Sequence, residues 1–128
     1  MRNLMDDILP TAPTGETWEI SKVDPDIIMV SKFKLIGQQT LRGGGSGSAG
    51  NGVFVYEMPD FETDLVFINC HLPCCGSNDN RQEEVDNIMK FVRDYKSGNT
   101  SFDTKQNAPI IIAAVSYTHL TLPTNREV

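Results

Sequence analysis

A histidine and an asparagine, two positions apart, end the clearest β-strand pattern in the chain. Side chains alternate between two faces along the segment 65–72, so Asn69 and His71 share one face and lie side by side. Leu65 and Phe67 make the earlier part of that face apolar. Open α/β sheets bind ligands at the carboxyl ends of their strands. Because an imidazole exchanges protons near neutral pH, His71 is the first candidate for a catalytic residue.

Each polar residue near this strand end also has a structural interpretation. His71 can be a core histidine whose nitrogens bond to Asn69 or to a backbone carbonyl. Asn69 can orient the imidazole or make an independent structural hydrogen bond. Arg81 can brace the start of a helix or contact a phosphate group. We favour a functional role for His71 and a bracing role for Arg81, and the sequence leaves Asn69 open.

Three cysteines surround the histidine. With His71, the thiols of Cys70, Cys74 and Cys75 offer four possible zinc ligands. Cys70 and His71 point to opposite faces of a strand, however, and no paired C-x-x-C motif is present, so the spacing argues against zinc. An odd number of clustered cysteines is not a disulfide framework either. We interpret Cys70 as a core residue and Cys74 and Cys75 as loop thiols.

A helix is predicted directly after this loop. Asp79 and Gln82 have the spacing of a capping box at its start. Asp86 and Lys90 are predicted to form an exposed ion pair. Apolar residues recur at helical spacing and predict the buried face, which comprises Val85, Ile88, Met89, Val92 and Tyr95.

Further strands are predicted on both sides of this segment, at 26–31, 33–41, 53–58 and 109–113. The first and last of these are short apolar runs that predict buried strands. The glycine- and serine-rich segment 43–52 has no large side chains to pack and predicts a flexible connection. It lacks the Lys-Ser or Lys-Thr of a phosphate-binding loop. Together these patterns predict an α/β protein with a mixed β-sheet and one clear helix.

Composition narrows the class of protein. A length of 128 residues suits one domain, and 39% hydrophobic with 22% charged residues is typical of globular proteins. The sequence has no apolar run of membrane-spanning length, and acids in its first ten residues predict no export signal. The net charge of −6, without a Lys/Arg cluster, argues against a charge-driven grip on nucleic acid. A nuclease whose metal supplies the positive charge stays open.

Three segments, in this order, resemble the endonuclease/exonuclease/phosphatase superfamily, which includes deoxyribonuclease I. MVSKFKLI (29–36) resembles the family's V-S-R-[FY]-P-[IL] strand. FINCHLPCCGSNDNRQEEVDNI (67–88) resembles its N-x-H-L … R-x-x-Q strand and helix, with Arg81 and Gln82 matched to the second part. APIIIA (108–113) resembles the strand that leads into its G-D-[FM]-N motif. The resemblance covers about residues 18–114.

The resemblance implies a fragment of a four-layer α/β sandwich of the deoxyribonuclease I type. It implies metal-assisted hydrolysis of a phosphodiester or phosphomonoester, with Mg²⁺ in the intact family member. The substrate would be a nucleic acid, a phospholipid head group or an inositol phosphate. His71 lies where the family places a His or Tyr that donates a hydrogen bond to the scissile phosphate or assists the leaving group. Asn69 and Arg81 are implied to bind substrate or to support the site.

The departures from the family pattern are as informative as the matches. The family's upstream Asn and metal-binding Glu are not recognisable before Asp26, and Gly-Asp-x-Asn does not follow Ala113. The segment 115–128, VSYTHLTLPTNREV, resembles a translated sequencing adapter. We therefore expect 1–114 to be a partial domain, 115–128 to be a non-native tail, and this chain to hold no metal and be inactive. The alternative is a non-catalytic binding or scaffold domain that kept the fold and lost the site.

Overall fold

The computed structural model describes residues 18–42, 50–102 and 107–115. Most of the predicted flexible segment 43–52, and the predicted tail beyond residue 115, lie outside the described residues. The elements in chain order are β1 (Glu19–Asp24), β2 (Ile27–Ser31), β3 (Leu35–Leu41), β4 (Asn51–Met58), β5 (Thr63–His71), α1 (Asn78–Lys96) and β6 (Ile110–Val115). A 3-10 turn at Pro59–Phe61 joins β4 to β5. No helix in these ranges is both long and apolar enough to cross a membrane.

Four of the strands form a mixed sheet in the order β3-β4-β5-β6. β3, β4 and β5 pair antiparallel in chain order, whereas β6 runs parallel to β5. A parallel neighbour needs a crossover connection, and α1 lies within that crossover. β1 and β2 form a separate antiparallel hairpin. Within the residues that the structure describes, the predicted α/β class with a mixed sheet and one α-helix is confirmed.

The helix covers one face of β4 and β5. Val66, Ile68 and Cys70 of β5 are buried on this face, together with Leu72 just beyond the strand, as the alternation predicted. The buried side chains of α1 that pack against them are Ile88, Phe91 and Tyr95, and the partly buried Val92 packs beside these. Full burial of such a side chain stabilises the fold by roughly 1.5–3 kcal/mol. This cluster therefore fixes the helix against the sheet.

The buried face of α1 differs from the predicted one. Its buried residues are Arg81, Glu84, Ile88, Phe91 and Tyr95. Val85 and Met89, predicted to be buried, are 37% and 43% exposed. Arg81 and Glu84 are buried at the start of this face because their polar groups have hydrogen-bond partners there. The prediction counted only apolar residues, so it placed the buried face on a different side of the helix.

The start of the helix also differs from the prediction. α1 begins at Asn78, and its N-cap is Ser77, whose side chain makes no capping hydrogen bond. Asp79 therefore lies inside the first turn, where its negative charge interacts favourably with the helix dipole. The predicted capping box of Asp79 and Gln82 is wrong.

The exposed face of α1 carries two contacts at helical spacing. Gln82 donates a hydrogen bond to Asp86 at 2.9 Å, and Lys90 donates to Asp94 at 2.6 Å. The predicted Asp86–Lys90 pair is replaced by these neighbouring contacts. Each contact joins residues four positions apart, so both lie within reach on the helix surface, and the observed Lys90–Asp94 pair has the less favourable order of charges along the helix.

The β1–β2 hairpin covers part of the other face of the sheet. Ile27 packs there against Phe54 and Tyr56 of β4. Gly52 makes this approach possible, because a Cβ at that position would lie 2.5 Å from Ile27 Cγ2 and 2.7 Å from Val23 Cγ2. β4 is consequently buried on both faces, whereas the second face of β5 is only half-buried.

The last strand is more exposed than predicted. Ile111 and Ile112 of β6 are 46% and 48% exposed, and within the described ranges β6 has one strand neighbour, β5. The prediction of a strand at 109–113 is confirmed, but the prediction that this strand is buried is wrong. In β2, likewise, Ile27 is buried and the following residues are only partly buried.

Tyr56 has a buried hydroxyl with no hydrogen-bond partner among the described residues. Burial, followed by the charge of Glu19, raises the pKa of Tyr56 from 10.0 to about 12. The free energy of unfolding therefore does not depend on this group below pH 10, and it falls as pH rises from 10 through 12, because the unfolded chain loses the phenolic proton first.

Tyr56→Phe removes the unpartnered hydroxyl and should therefore stabilise the protein. We expect the free energy of unfolding to rise by up to about 1 kcal/mol at neutral pH. We also expect its fall between pH 10 and 12 to become shallower. Urea denaturation across this pH range measures both effects. If the variant were less stable, and its free energy of unfolding fell as steeply between pH 10 and 12 as that of the parent, the buried and unsatisfied phenol would be contradicted.

Candidate functional site

The candidate histidine is accessible at the end of its strand. His71 is the last residue of β5, and its side chain is 40% exposed. Its Nδ1 lies 3.8 Å from the Oδ2 atom of Asp26, a residue of the turn between β1 and β2 whose side chain is also exposed. The separation is too long for a hydrogen bond, so the interaction is electrostatic. The hairpin thus brings a carboxylate from a distant part of the chain beside the imidazole.

Asn69 contacts the hairpin. Its Nδ2 donates a hydrogen bond to the carbonyl oxygen of Ile28 at 3.4 Å and lies 3.8 Å from the sulfur of Met29. At this distance the hydrogen bond is weak, but it joins β5 to β2. These contacts favour a structural role for Asn69, because they hold the hairpin that carries Asp26.

Arg81 braces the loop between β5 and α1. Its side chain is buried, and Nη1 donates hydrogen bonds to the carbonyl oxygens of Pro73 at 2.8 Å and Cys75 at 3.0 Å. Nη2 donates to the side-chain oxygen of Asn78. The guanidinium thus bonds to the backbone that leads away from His71. This arrangement favours the bracing role over direct contact with a phosphate.

A buried polar pair beneath His71 was missed by the sequence analysis. Asn51 and Glu84 are each 1% exposed. Asn51 Nδ2 donates a hydrogen bond to Glu84 Oε2 at 3.0 Å, and Asn51 Oδ1 accepts one from the backbone N–H of His71 at 3.1 Å. One amide side chain therefore joins the start of β4, the end of β5 and the helix.

The spacing of a motif could have indicated Glu84. The glutamine of R-x-x-Q lies three positions after the arginine. Three positions after Arg81 the sequence has Glu84, whereas Gln82 is the next residue. The match of Gln82 to this motif is therefore wrong by position. Gln82 is exposed, whereas Glu84 lies in the buried network. Asn51 had no such signal, because it lies within the segment 43–52 that was predicted to be a flexible connection. That prediction is wrong for Asn51 and Gly52, which begin β4.

The cysteines divide between core and surface, as predicted. Cys70 is buried beneath the helix, and burial, followed by the charge of Glu84, raises its pKa from 9.0 to about 11. This thiol is therefore protonated and unreactive at neutral pH. Cys74 and Cys75 are exposed in the loop after His71.

The described residues do not form a metal centre. In the ranges 18–42, 50–102 and 107–115, no group of three or more His, Cys, Asp and Glu residues is placed to hold a metal ion. Near His71, Asp26 is an exposed carboxylate, whereas Glu84 is buried with Asn51. Mg²⁺ prefers several oxygen ligands in octahedral geometry, and this set does not supply them.

Two grooves among the described residues lie away from His71. One, of about 550 Å³, is lined by α1 and β6 and includes Met89, Val92 and Ile112. The other, of about 490 Å³, lies beside Trp18, where Lys32 Nζ is 4.9 Å from the centre of the indole ring. His71 lines neither groove, and its side chain is 40% exposed at the end of β5.

Comparison of the chain with protein-family models, with curated proteins and with solved structures found no match.

Proposed function

We propose that this chain is part of a metal-dependent phosphoesterase and that His71 forms one wall of its active site. The observation that supports this function most directly is the accessible imidazole at the carboxyl end of β5, 3.8 Å from the Asp26 carboxylate. Ligands of open α/β sheets bind at such strand ends. An imidazole at this position can donate a hydrogen bond to a phosphate oxygen or a proton to a leaving group.

The remaining site residues support His71. The backbone of His71 is held by Asn51, and the loop that follows is held by Arg81. Asn69 holds the hairpin that carries Asp26. A positioned acid or base is more effective than a mobile one, because the reacting groups need little reorganisation. In this proposal Asn69 and Arg81 act by supporting the site.

The finer fold belongs to the same proposal. The sheet and α1 are two adjoining layers of a four-layer α/β sandwich of the deoxyribonuclease I type. Ile111 and Ile112 lie on opposite faces of β6 and are each about half exposed. Strands with two apolar faces are typical of sheets covered on both sides. This exposure supports a larger protein in which additional chain covers β6.

The proposed enzyme uses Mg²⁺, held by carboxylates from the rest of the protein, because the described residues do not fit the ion. Such a metal polarises the phosphate oxygens and activates water. The substrate class is a phosphoester, namely a nucleic acid, a phospholipid head group or an inositol phosphate. The net charge of −6 disfavours tight binding of duplex nucleic acid by charge alone.

The test is to assay the complete gene product beside this chain. We expect the complete protein to hydrolyse bis(p-nitrophenyl) phosphate or p-nitrophenyl phosphate when Mg²⁺ is present. Hydrolysis should stop when EDTA is added. We expect the 128-residue chain to be inactive, and the source gene to encode Gly-Asp-x-Asn after Ala113. Failure of the complete protein on both esters would refute the function. Mg²⁺-dependent cleavage by this chain alone would refute the partial domain.

The second candidate function is a binding or scaffold domain that has the fold without catalysis. It is favoured by the contacts of Asn69 and Arg81, whose side chains bond to backbone carbonyls of this chain. The two functions differ in their expected gene sequence. A natural stop without Gly-Asp-x-Asn would favour the binding domain, whereas the motif would favour the enzyme.

A further inference from the structure

Two neighbouring thiols meet in the loop between β5 and α1. Cys74 Sγ and Cys75 Sγ are 2.6 Å apart, and both residues are exposed as free thiols. A disulfide bond has a length of about 2.05 Å. A small movement would therefore bring these sulfur atoms to bonding distance.

The backbone of the loop holds the two thiols together. Neighbouring side chains of an extended chain point in opposite directions. Cys75 has a φ of 64°, in the left-handed region that residues with a side chain seldom occupy, and this conformation turns its side chain toward Cys74. Arg81 donates hydrogen bonds to the carbonyl oxygens of Pro73 and Cys75, on either side of Cys74. The arginine thus stabilises the turn that pairs the thiols.

We propose that Cys74 and Cys75 are a modification site that closes to a vicinal disulfide when a small disulfide, such as glutathione disulfide, is the oxidant. One protein thiolate attacks the oxidant, forms a mixed disulfide and releases one glutathione thiolate. The neighbouring thiolate then attacks the protein sulfur of the mixed disulfide and displaces the second glutathione. Two protein thiols lose two hydrogens, and one glutathione disulfide becomes two glutathione thiols.

The closed ring is readily reduced. Neighbouring Cα atoms are about 3.8 Å apart, whereas those of most disulfides are roughly 4.4–6.8 Å apart. The ring is therefore strained, and strained disulfides are the more oxidising and labile ones. Reducing conditions keep the dithiol, and an excess of oxidant closes the ring.

The three cysteines differ in reactivity, and this difference directs the oxidant to the loop. Cys70 is buried, with its pKa raised to about 11, so it rarely forms a thiolate. The hydrogen bond with Cys74 raises the pKa of Cys75, and the positive charge of Arg81 opposes this effect. Ring closure should consequently accelerate as pH rises, because the thiolate is the attacking species.

The test is intact-mass spectrometry of the 128-residue chain after incubation with glutathione disulfide at mildly alkaline pH. We expect a loss of about 2 Da with no retained glutathione, reversed by dithiothreitol. Peptide mapping should place the bond between Cys74 and Cys75. Retention of two glutathiones, an intermolecular disulfide, a bond to Cys70 or an unchanged mass would each overturn the proposal.

Matched variants separate the thiols from the turn that holds them. Cys74→Ser should keep one glutathione on Cys75, and Cys70→Ser should close the ring like the parent chain. Arg81→Lys cannot reproduce the forked hydrogen bonds, so it should lower the ratio of closed ring to mixed disulfide. An unchanged ratio in folded Arg81→Lys protein would refute the role of the arginine. None of these measurements depends on the phosphoesterase function.

Discussion

Asn51→Ala should lower the free energy of unfolding of this chain by about 3 kcal/mol. The substitution removes the donor to Glu84 Oε2 and the acceptor of the His71 backbone N–H. Glu84 is 1% exposed, so water cannot easily replace the lost hydrogen bond. Because small domains are stable by about 5–15 kcal/mol, this loss would be a large share of the total.

Urea denaturation measures the loss, and two further variants identify its cause. Asn87→Ala removes an amide that donates to the Arg42 carbonyl in an exposed position, and we expect a change within about 0.5 kcal/mol. Glu84→Gln keeps an oxygen for Asn51 and removes the charge, so it should cost less than Asn51→Ala. It should also lower the pKa of Cys70, which the Glu84 charge raises.

Amide hydrogen exchange supplies an independent measurement of the same network. The His71 amide should exchange faster in Asn51→Ala, because its acceptor is lost, while amides within α1 keep their protection. If Asn51→Ala were as mild as Asn87→Ala, the buried pair would not hold the end of β5.

His71→Ala in the complete protein should reduce the turnover number for a phosphoester by about 10²- to 10⁴-fold. The imidazole is the accessible proton donor of the proposed site, and its 40% exposure means that its removal leaves the core intact. We therefore expect the free energy of unfolding to change little. Steady-state kinetics with Mg²⁺ present, together with urea denaturation, separate the loss of chemistry from the loss of fold.

The controls for this prediction come from the neighbouring residues. Asp26→Asn keeps the size of the side chain and removes its charge, so it should reduce turnover less than His71→Ala. Asn69→Ala removes the contact between β5 and the β1–β2 hairpin, so we expect a lower free energy of unfolding. The turnover number of the folded variant should change little. Lys90→Ala, on the exposed face of α1, should behave like the parent. Unchanged turnover in His71→Ala would remove His71 from the proposed chemistry.

The sequence predicted best what depends on near neighbours in the chain. The alternation from Val66 to Leu72 predicted which face of β5 is buried, because successive side chains of a strand point to opposite faces of the sheet. The spacing of Ile88 and Tyr95 likewise predicted the helix. The predicted helix start at Asp79 was wrong, because Ser77, Asn78 and Asp79 are all residue types that favour a helix start and their order alone does not distinguish them.

Burial in β6 depended on what lies beside it. IIIA has the composition of a buried strand, yet Ile111 and Ile112 are half exposed because, among the described residues, this strand has a neighbour on one side. The buried face of α1 shows the reverse effect. Val85 is exposed and Arg81 is buried, because the carbonyl oxygens of the loop satisfy the guanidinium.

The sequence by itself determined the strand, loop and helix around His71, and it identified the histidine as the residue at the strand end. Only the tertiary structure decided the surroundings of His71: Asp26 beside its imidazole, Asn51 on its backbone N–H and Glu84 beneath them. Gly52 contributes to this arrangement, since the absence of a side chain lets the hairpin pack against β4. The physical reason is that strand and helix patterns follow from local backbone geometry, whereas these contacts join residues far apart in the chain and form only when the layers pack.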